Sequence, residues 1–238
     1  MAVRDEPVSR RERPAKPALS RRSILDAALT LIRERGVESV SLRHVAERVQ
    51  TGPASLYAYF ASRDVLLEHV LDDVYGTVEL VDAGAGDRGW RDALAGTIVN
   101  TIDALGRYPG LGAVALGMIP TLPGALRLAD HELGLMSLGG IPEAQAGLAI
   151  DLIAQFVAAT ATERTVRGAP LGAPERDAIR DAFRSADPER FPHLVRSVDA
   201  LTRPTEQERR DFAIQVIIAG IAGAGGSVWA AGPASARA

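Results

Sequence analysis

The sequence has no cysteine among its 238 residues, which excludes a disulfide framework and a thiolate zinc site. Its four histidines, His44, His69, His131 and His193, lack metal spacing such as H-x-x-x-H. Asp72 with Asp73, and Asp151 with Glu163, are carboxylate pairs with no nucleophile or glycine loop beside them, so they read as solvated helix faces. No catalytic constellation, metal set or cofactor site is therefore expected, and the chain reads as a protein that is not an enzyme. No N-terminal apolar stretch resembles a signal peptide, which points to a soluble cytoplasmic protein. No alternating strand pattern occurs either, so the fold is expected to be all-α.

Charge is unevenly placed. The whole chain is at −3, yet residues 1–63 carry 12 Lys/Arg against 7 Asp/Glu and the remainder carries 15 against 23. A basic N-terminal part on an acidic body is the footprint of a reading head for nucleic acid.

The most informative stretch is Ser41 to Arg63, SLRHVAERVQTGPASLYAYFASR. Leu42, Val45, Ala46 and Val49 fall on one face of a short helix, and Ser41 caps it. Gln50, Thr51 and Gly52 form a turn, and Pro53 suits the first position of a second helix because its missing N–H has no partner there anyway. Leu56 and Phe60 point inward, whereas Ala54, Ser55, Tyr57, Ala58 and Tyr59 face out. Helix, turn and short helix with a small polar and aromatic outer face is the helix-turn-helix pattern, whose second helix enters the major groove. Ser55 can exchange hydrogen bonds with base edges, and Ala54 can meet a thymine methyl. Tyr57 and Tyr59 have hydroxyls long enough for phosphates, Arg43 can fork onto guanine or phosphate, and Arg63 stands by the next helix start. The DNA-facing set predicted on these grounds is Ser41, Arg43, Thr51, Pro53, Ala54, Ser55, Tyr57, Tyr59 and Arg63.

The chain around this stretch falls into three parts. Residues 1–19 are polar, with Arg4, Arg10, Arg11, Arg13 and Lys16 among prolines, and cannot bury enough apolar area to order themselves. They read as a disordered leader or as a basic arm that adds phosphate contacts. Residues 20–61 form the DNA-binding domain, opened by a helix from Ser20 to Arg35 with Gly36 as its stop; Arg21 and Arg22 near its start are within reach of phosphate. Residues 62–238 form the body. Ser62 caps a linking helix over 62–76 with Asp64 in its first turn. Helices follow over Trp90 to Arg107, Pro109 to Met118, Pro123 to Leu138, Pro142 to Arg167 and Glu206 to about Trp229, with a proline-bearing connection over 168–204 that reads as mobile apart from a short helix around Glu175 to Ser185.

Two patterns invite other readings. Gly84-Ala85-Gly86-Asp87-Arg88-Gly89 spells G-x-G-x-x-G, but that pattern needs a βαβ unit and no second strand follows, so it is read as a loop. Ala213 to Gly232 runs twenty residues without a charge, the length of a membrane span. Its Ala and Gly content, with Gln215 and Ser227 inside it, suits close helix packing instead, and no membrane partner is expected.

The stretch from Val45 to Leu67, through V-A-x-x-V, G-P-A-S-L-Y-x-Y-F and S-R-D-x-L-L, closely resembles the DNA-binding segment of the TetR family of bacterial one-component repressors. It departs at Gln50, where the family usually has glycine. The body resembles the C-terminal domain of the tetracycline-repressor branch through Trp90 at a helix start, GAVALGMIP, and L-G-G-I-P-E-A before a long helix. The resemblance implies a ligand-binding and dimerisation domain over 62–238. It implies a homodimer through the helices near 142–167 and 206–230, double-stranded palindromic operator DNA as partner, and release by a small-molecule effector. The effector cavity would lie among the helices from Trp90 to Phe156, with Thr97, Asn100, Thr101, Met118, Met136 and Phe156 as candidate lining. In drug-binding members a histidine that ligates the drug's magnesium falls near Ala115, and alanine offers no donor for a metal.

Overall fold

Three of the first four helices start where a serine can hold orphan N–H groups. The computed structural model describes residues 19–84, 89–167 and 172–223, and every regular element among them is helical. Ser20 accepts from the Ser23 N–H and opens α1 (Arg21–Arg35), with Ser23 answering back to complete a capping box. Ile24, Ala28 and Ile32 on its inner face are fully buried. Gly36, at φ 79°, ends the helix in a conformation few other residues adopt. After a 3-10 turn at Val37–Ser39, Ser41 accepts from His44 N–H and opens α2 (Leu42–Arg48). The turn then leads into α3 (Pro53–Tyr57), with Gly52 at its N-cap. Ser62 accepts from Val65 N–H at the start of α4 (Arg63–Gly76).

Gln50 takes the left-handed conformation, at φ 56°. The turn demands the geometry for which glycine is the usual choice, and here a glutamine bears a strain of roughly 1 kcal/mol.

The body comprises α5 (Gly89–Gly106), α6 (Leu111–Leu116), α7 (Pro123–Leu138) and α8 (Glu143–Arg167), followed by α9 (Ala173–Arg184), α10 (Pro192–Arg196), α11 (Val198–Thr202) and α12 (Glu206–Gly223). The long α8 packs across α5, α6 and α7, and α12 lies against α5 and α8. Leu94, Ile98, Ile102 and Leu105 of α5 are at most 1% exposed and form the centre of this core. Each contributes about 1.5–3 kcal/mol by leaving water. Gly112 lets α6 lie on α8, since a Cβ there would come within 2.7 Å of the Ala158 carbonyl oxygen.

The segment expected to be a mobile connection is more ordered than its prolines suggest. Residues 172–203 hold α9, α10 and α11, with Pro174 and Pro192 in first-turn positions where proline starts a helix rather than breaks one. Arg180 donates to the Thr202 hydroxyl at 3.2 Å and Arg184 pairs with Asp199 at 3.2 Å, which ties α9 to α11. Residues 1–18, the inner part of the glycine motif and the chain beyond Gly223 lie outside the described residues, and with them most of the leader and the second half of the uncharged run.

The head is joined to the body by more than α4. The Val37 N–H donates to the Pro109 carbonyl at 2.8 Å, and the Arg33 guanidinium lies 4.7 Å from the centre of the Tyr108 ring. From α1, Arg22 also reaches Asp73 of α4 at 2.6 Å.

Candidate DNA-reading surface and ligand cleft

The head exposes a small, mixed surface at the start of α3. Leu56 and Phe60 are 0% and 1% exposed, so they fix which side of α3 faces inward. Pro53, Ala54, Ser55 and Ala58 are exposed, and Tyr57 is 59% exposed. Arg43, the second residue of α2, is also exposed, and its Nε donates to Glu47 Oε1 at 3.0 Å. An exposed pair of this kind is weak, so Arg43 can exchange it for a phosphate or a guanine edge. Ser41 and Thr51 are half-buried: Ser41 caps α2, and the Thr51 N–H closes the turn on the Ala46 carbonyl at 2.9 Å.

Two residues expected on this surface are turned to the inside of the head. Tyr59 is half-buried, and its hydroxyl donates to the Leu19 carbonyl at 2.9 Å. The Arg63 guanidinium donates to the Val40 and Val37 carbonyls at 2.8 and 3.0 Å, which orders the 3-10 turn between α1 and α2. Arg21 and Arg22 are exposed, but both are engaged by partners within the protein. Arg21 donates to the Tyr59 carbonyl at 3.0 Å and lies over the Phe60 ring, while Arg22 binds Asp26 and Asp73. Arg48 grips Glu34 of α1 through both guanidinium nitrogens at 2.7 and 2.8 Å, and that hydrogen-bonded pair holds the Glu34 carboxyl below the usual carboxylate range.

In the body, a half-open cleft lies between α4, α5, α7 and α8, about 450 Å³ when the open space at its mouth is included. Leu128 and Ala129 of α7, with Ile150, Ile153 and Val157 of α8, give it apolar walls; Tyr75, Thr101 and Glu132 are its polar members. Of the six residues expected to line a cavity, Thr101 does so, and its hydroxyl donates to the Thr97 carbonyl at 2.8 Å. Thr97 is fully buried behind it, with its hydroxyl accepting from Val81 N–H. Asn100 donates to the Glu79 carbonyl at 2.8 Å, outside the cleft. Met136 is fully buried core, and Met118 and Phe156 pack partly buried against that core.

Glu132 was not singled out by sequence pattern, although a signal exists. It stands at helical spacing from Leu128, Leu135 and Met136, on the buried stripe of α7 where an apolar residue is expected. Burial pushes its carboxyl up to about 8. Burial, with the Glu132 charge as a second cause, pushes the Tyr75 phenol up to about 12. Among the described residues no group of three or more His, Asp or Glu is placed to hold a metal ion. Ala115, half-buried on α6, supplies no metal donor.

Two family descriptions match the chain: bacterial regulatory proteins of the tetR family over residues 24–70, and the tetracyclin repressor-like C-terminal domain over residues 83–224. The chain is 26% identical over 212 residues to an HTH-type transcriptional regulator of Saccharopolyspora erythraea, covering 89% of this chain and 88% of the relative. It is 27% identical over 179 residues to the class A tetracycline repressor of transposon 1721 from Escherichia coli, covering 70% and 82%. Among solved structures it is similar to ActR of Streptomyces coelicolor in complex with actinorhodin, with a TM-score of 0.80, 28% identity, and coverage of 88% of this chain and 100% of that one.

Proposed function

Because the chain belongs to the TetR family of transcriptional regulators, we propose that two copies of it hold a palindromic operator and let go when a small molecule fills the cleft under α7. It is a ligand-responsive DNA-binding repressor and not an enzyme, and its place of work is the cytoplasm. The observation that carries the reading is the outward face of α3 behind the Gly52-Pro53 start. Ser55 and Tyr57 are presented there on a scaffold whose inner side is locked by Leu56 and Phe60. Arg43, Pro53, Ala54, Ser55 and Tyr57 are the contacts proposed for DNA, with Ser41 and Thr51 shaping the approach. Recognition helices of the two copies would lie about 34–36 Å apart in successive major grooves.

Pairing is supported by apolar surface that one chain leaves uncovered. Leu148 and Leu152 of α8 are 51% and 48% exposed, and Phe212 and Val216 of α12 are 68% and 53% exposed. These fall at helical spacing on the outer sides of two neighbouring helices, as a four-helix interface between copies requires. The span Glu143–Val166 is also long and apolar enough to cross a membrane. Its place against α5, α6 and α7, with one outer stripe left over, suits a dimer face better.

Release follows from differential affinity: a ligand that fits the cleft in only one arrangement of α4 and α7 favours the head spacing that goes with it. The test is a fluorescence-anisotropy titration of the purified protein with the intergenic DNA upstream of its own gene. Arg43→Ala combined with Tyr57→Ala is expected to weaken binding at least about tenfold. Unchanged affinity would remove α3 from the DNA.

A further inference from the structure

Glu132 lies midway along α7 with 5% of its surface exposed, and it lines the cleft. Among the described residues it has neither a hydrogen-bond partner nor an ion-pair partner, although no buried side-chain oxygen is left shut away without one. Its carboxyl oxygens therefore face the open space of the cleft. Several charged and polar groups on the elements around it are engaged elsewhere. On α7, Arg127 donates to the Tyr75, Gly76 and Val78 carbonyls, and the His131 ring meets the Val81 carbonyl at 3.1 Å. On α4, Asp72 accepts from the Ala125 N–H, and the Tyr75 phenol can offer only a neutral hydroxyl. On α5, Asp103 is paired with Arg164, and on α8, Asp151 accepts from Gln155 on the exposed side.

A carboxyl held among Leu128, Ile153 and Val157 with no counter-charge costs the fold free energy that a leucine there would not. We propose that Glu132 is the counter-ion of the effector, and that the cleft takes a mainly apolar molecule carrying one cationic nitrogen or onium centre. The inference rests on the cleft being the effector site. The cation sits against the Glu132 carboxylate while rings or chains lie on Leu128, Ile150, Ile153 and Val157. A cation restores the charge balance that burial denies Glu132, whereas a neutral acceptor would gain a single hydrogen bond from the protonated acid. The acidic balance of the body, 15 Lys/Arg against 23 Asp/Glu over residues 64–238, favours entry of a positively charged ligand.

The test uses the full-length protein and two probes of similar shape, tetraphenylphosphonium, a permanent cation, and triphenylphosphine oxide, a neutral acceptor, with calorimetric titration at pH 6.5, 7.5 and 8.5. Tetraphenylphosphonium is expected to bind more tightly as pH rises towards about 8, because its binding expels the Glu132 proton. Glu132→Gln is expected to weaken it about tenfold or more and to remove the pH dependence. The phosphine oxide should be little affected by that substitution. Ile153→Trp, which fills the cleft, separates the two claims. If it abolishes binding while Glu132→Gln leaves tetraphenylphosphonium untouched, the cleft stands and the counter-ion assignment falls. The assignment also falls if only the phosphine oxide depends on Glu132, or if tetraphenylphosphonium does not bind. If Ile153→Trp leaves cation binding intact, the cleft itself is not the site.

Discussion

The carboxylate of Asp72 on α4 accepts a hydrogen bond from the backbone N–H of Ala125 at 2.9 Å, and so caps a helix that is not its own. Leu122, the N-cap residue of α7, has no side chain able to do this. Ala125 lines the cleft, and the residue after Asp72 is Asp73, which holds Arg22 of the head at 2.6 Å. One turn of α4 thus touches the cleft wall on one side and the DNA-binding domain on the other. Gly124 keeps this contact close, because a Cβ there would lie 2.2 Å from the Asp72 carbonyl oxygen.

If that turn carries the signal, Asp72→Ala should leave operator affinity in the absence of effector nearly unchanged while reducing the effector-induced loss of binding severalfold. Asp72→Asn, which keeps an acceptor, should restore much of the response. The cap itself is worth about 1 kcal/mol, so a thermal melt run in parallel separates loss of coupling from loss of fold. A full response in the alanine variant would place the coupling elsewhere.

Arg63 makes a different prediction from the one its sequence position suggests. Its two hydrogen bonds to the Val37 and Val40 carbonyls are charge-assisted. Arg63→Ala should therefore destabilise the head by about 1.5–3 kcal/mol in a denaturant titration. The slope of log affinity against log salt should stay as it is. Arg43→Ala should do the reverse, with little effect on stability and a slope reduced by about 1.

The exposed apolar stripes on α8 and α12 predict the behaviour of charged replacements. Leu152→Glu with Phe212→Glu should convert a dimer to monomers in sedimentation velocity and weaken operator binding, because a single head contacts half of the address. A protein that sediments as a monomer before any substitution would sink the paired reading.

Glu132 makes stability depend on pH. Its folded value of about 8 lies above the usual carboxylate value of about 4.3. The stability linked to its proton is therefore fully present below about pH 4.3 and is lost as pH rises towards 8. Between pH 5 and pH 8 the protein should lose on the order of 3 kcal/mol more than Glu132→Gln does, read from denaturant midpoints. Parallel curves for the two proteins would mean that the carboxyl is better solvated than its 5% exposure implies.

Where sequence and structure agree, the reason is local. Ser20, Ser41 and Ser62 announce helix starts because a cap acts within three residues of itself, and the inward side of α3 follows from the spacing of Leu56 and Phe60. What escaped the sequence depends on distant backbone. Tyr59 looks outward by periodicity, yet its hydroxyl finds the carbonyl of Leu19, forty positions earlier. Arg63 looks like a phosphate contact because nothing near it marks the carbonyls it serves. Glu132, in the run Asp130-His131-Glu132, has the composition of a surface. The packing of α4, α5 and α8 around α7 makes it interior. Thr97 and Asn100 are near misses of the same kind: they lie on the helix that walls the cleft, but their polar atoms are already used by Val81 and Glu79.

The long helix α8 turns Ile153 and Val157 to the cleft and Leu148 and Leu152 away from it. On the proposed reading a single stiff rod serves as a party wall, with the effector as tenant on one side and the sister subunit on the other. Neither tenant could then shift that wall unnoticed: filling the first cleft should alter the terms on which the second is filled, so that the pair would answer its signal as one device.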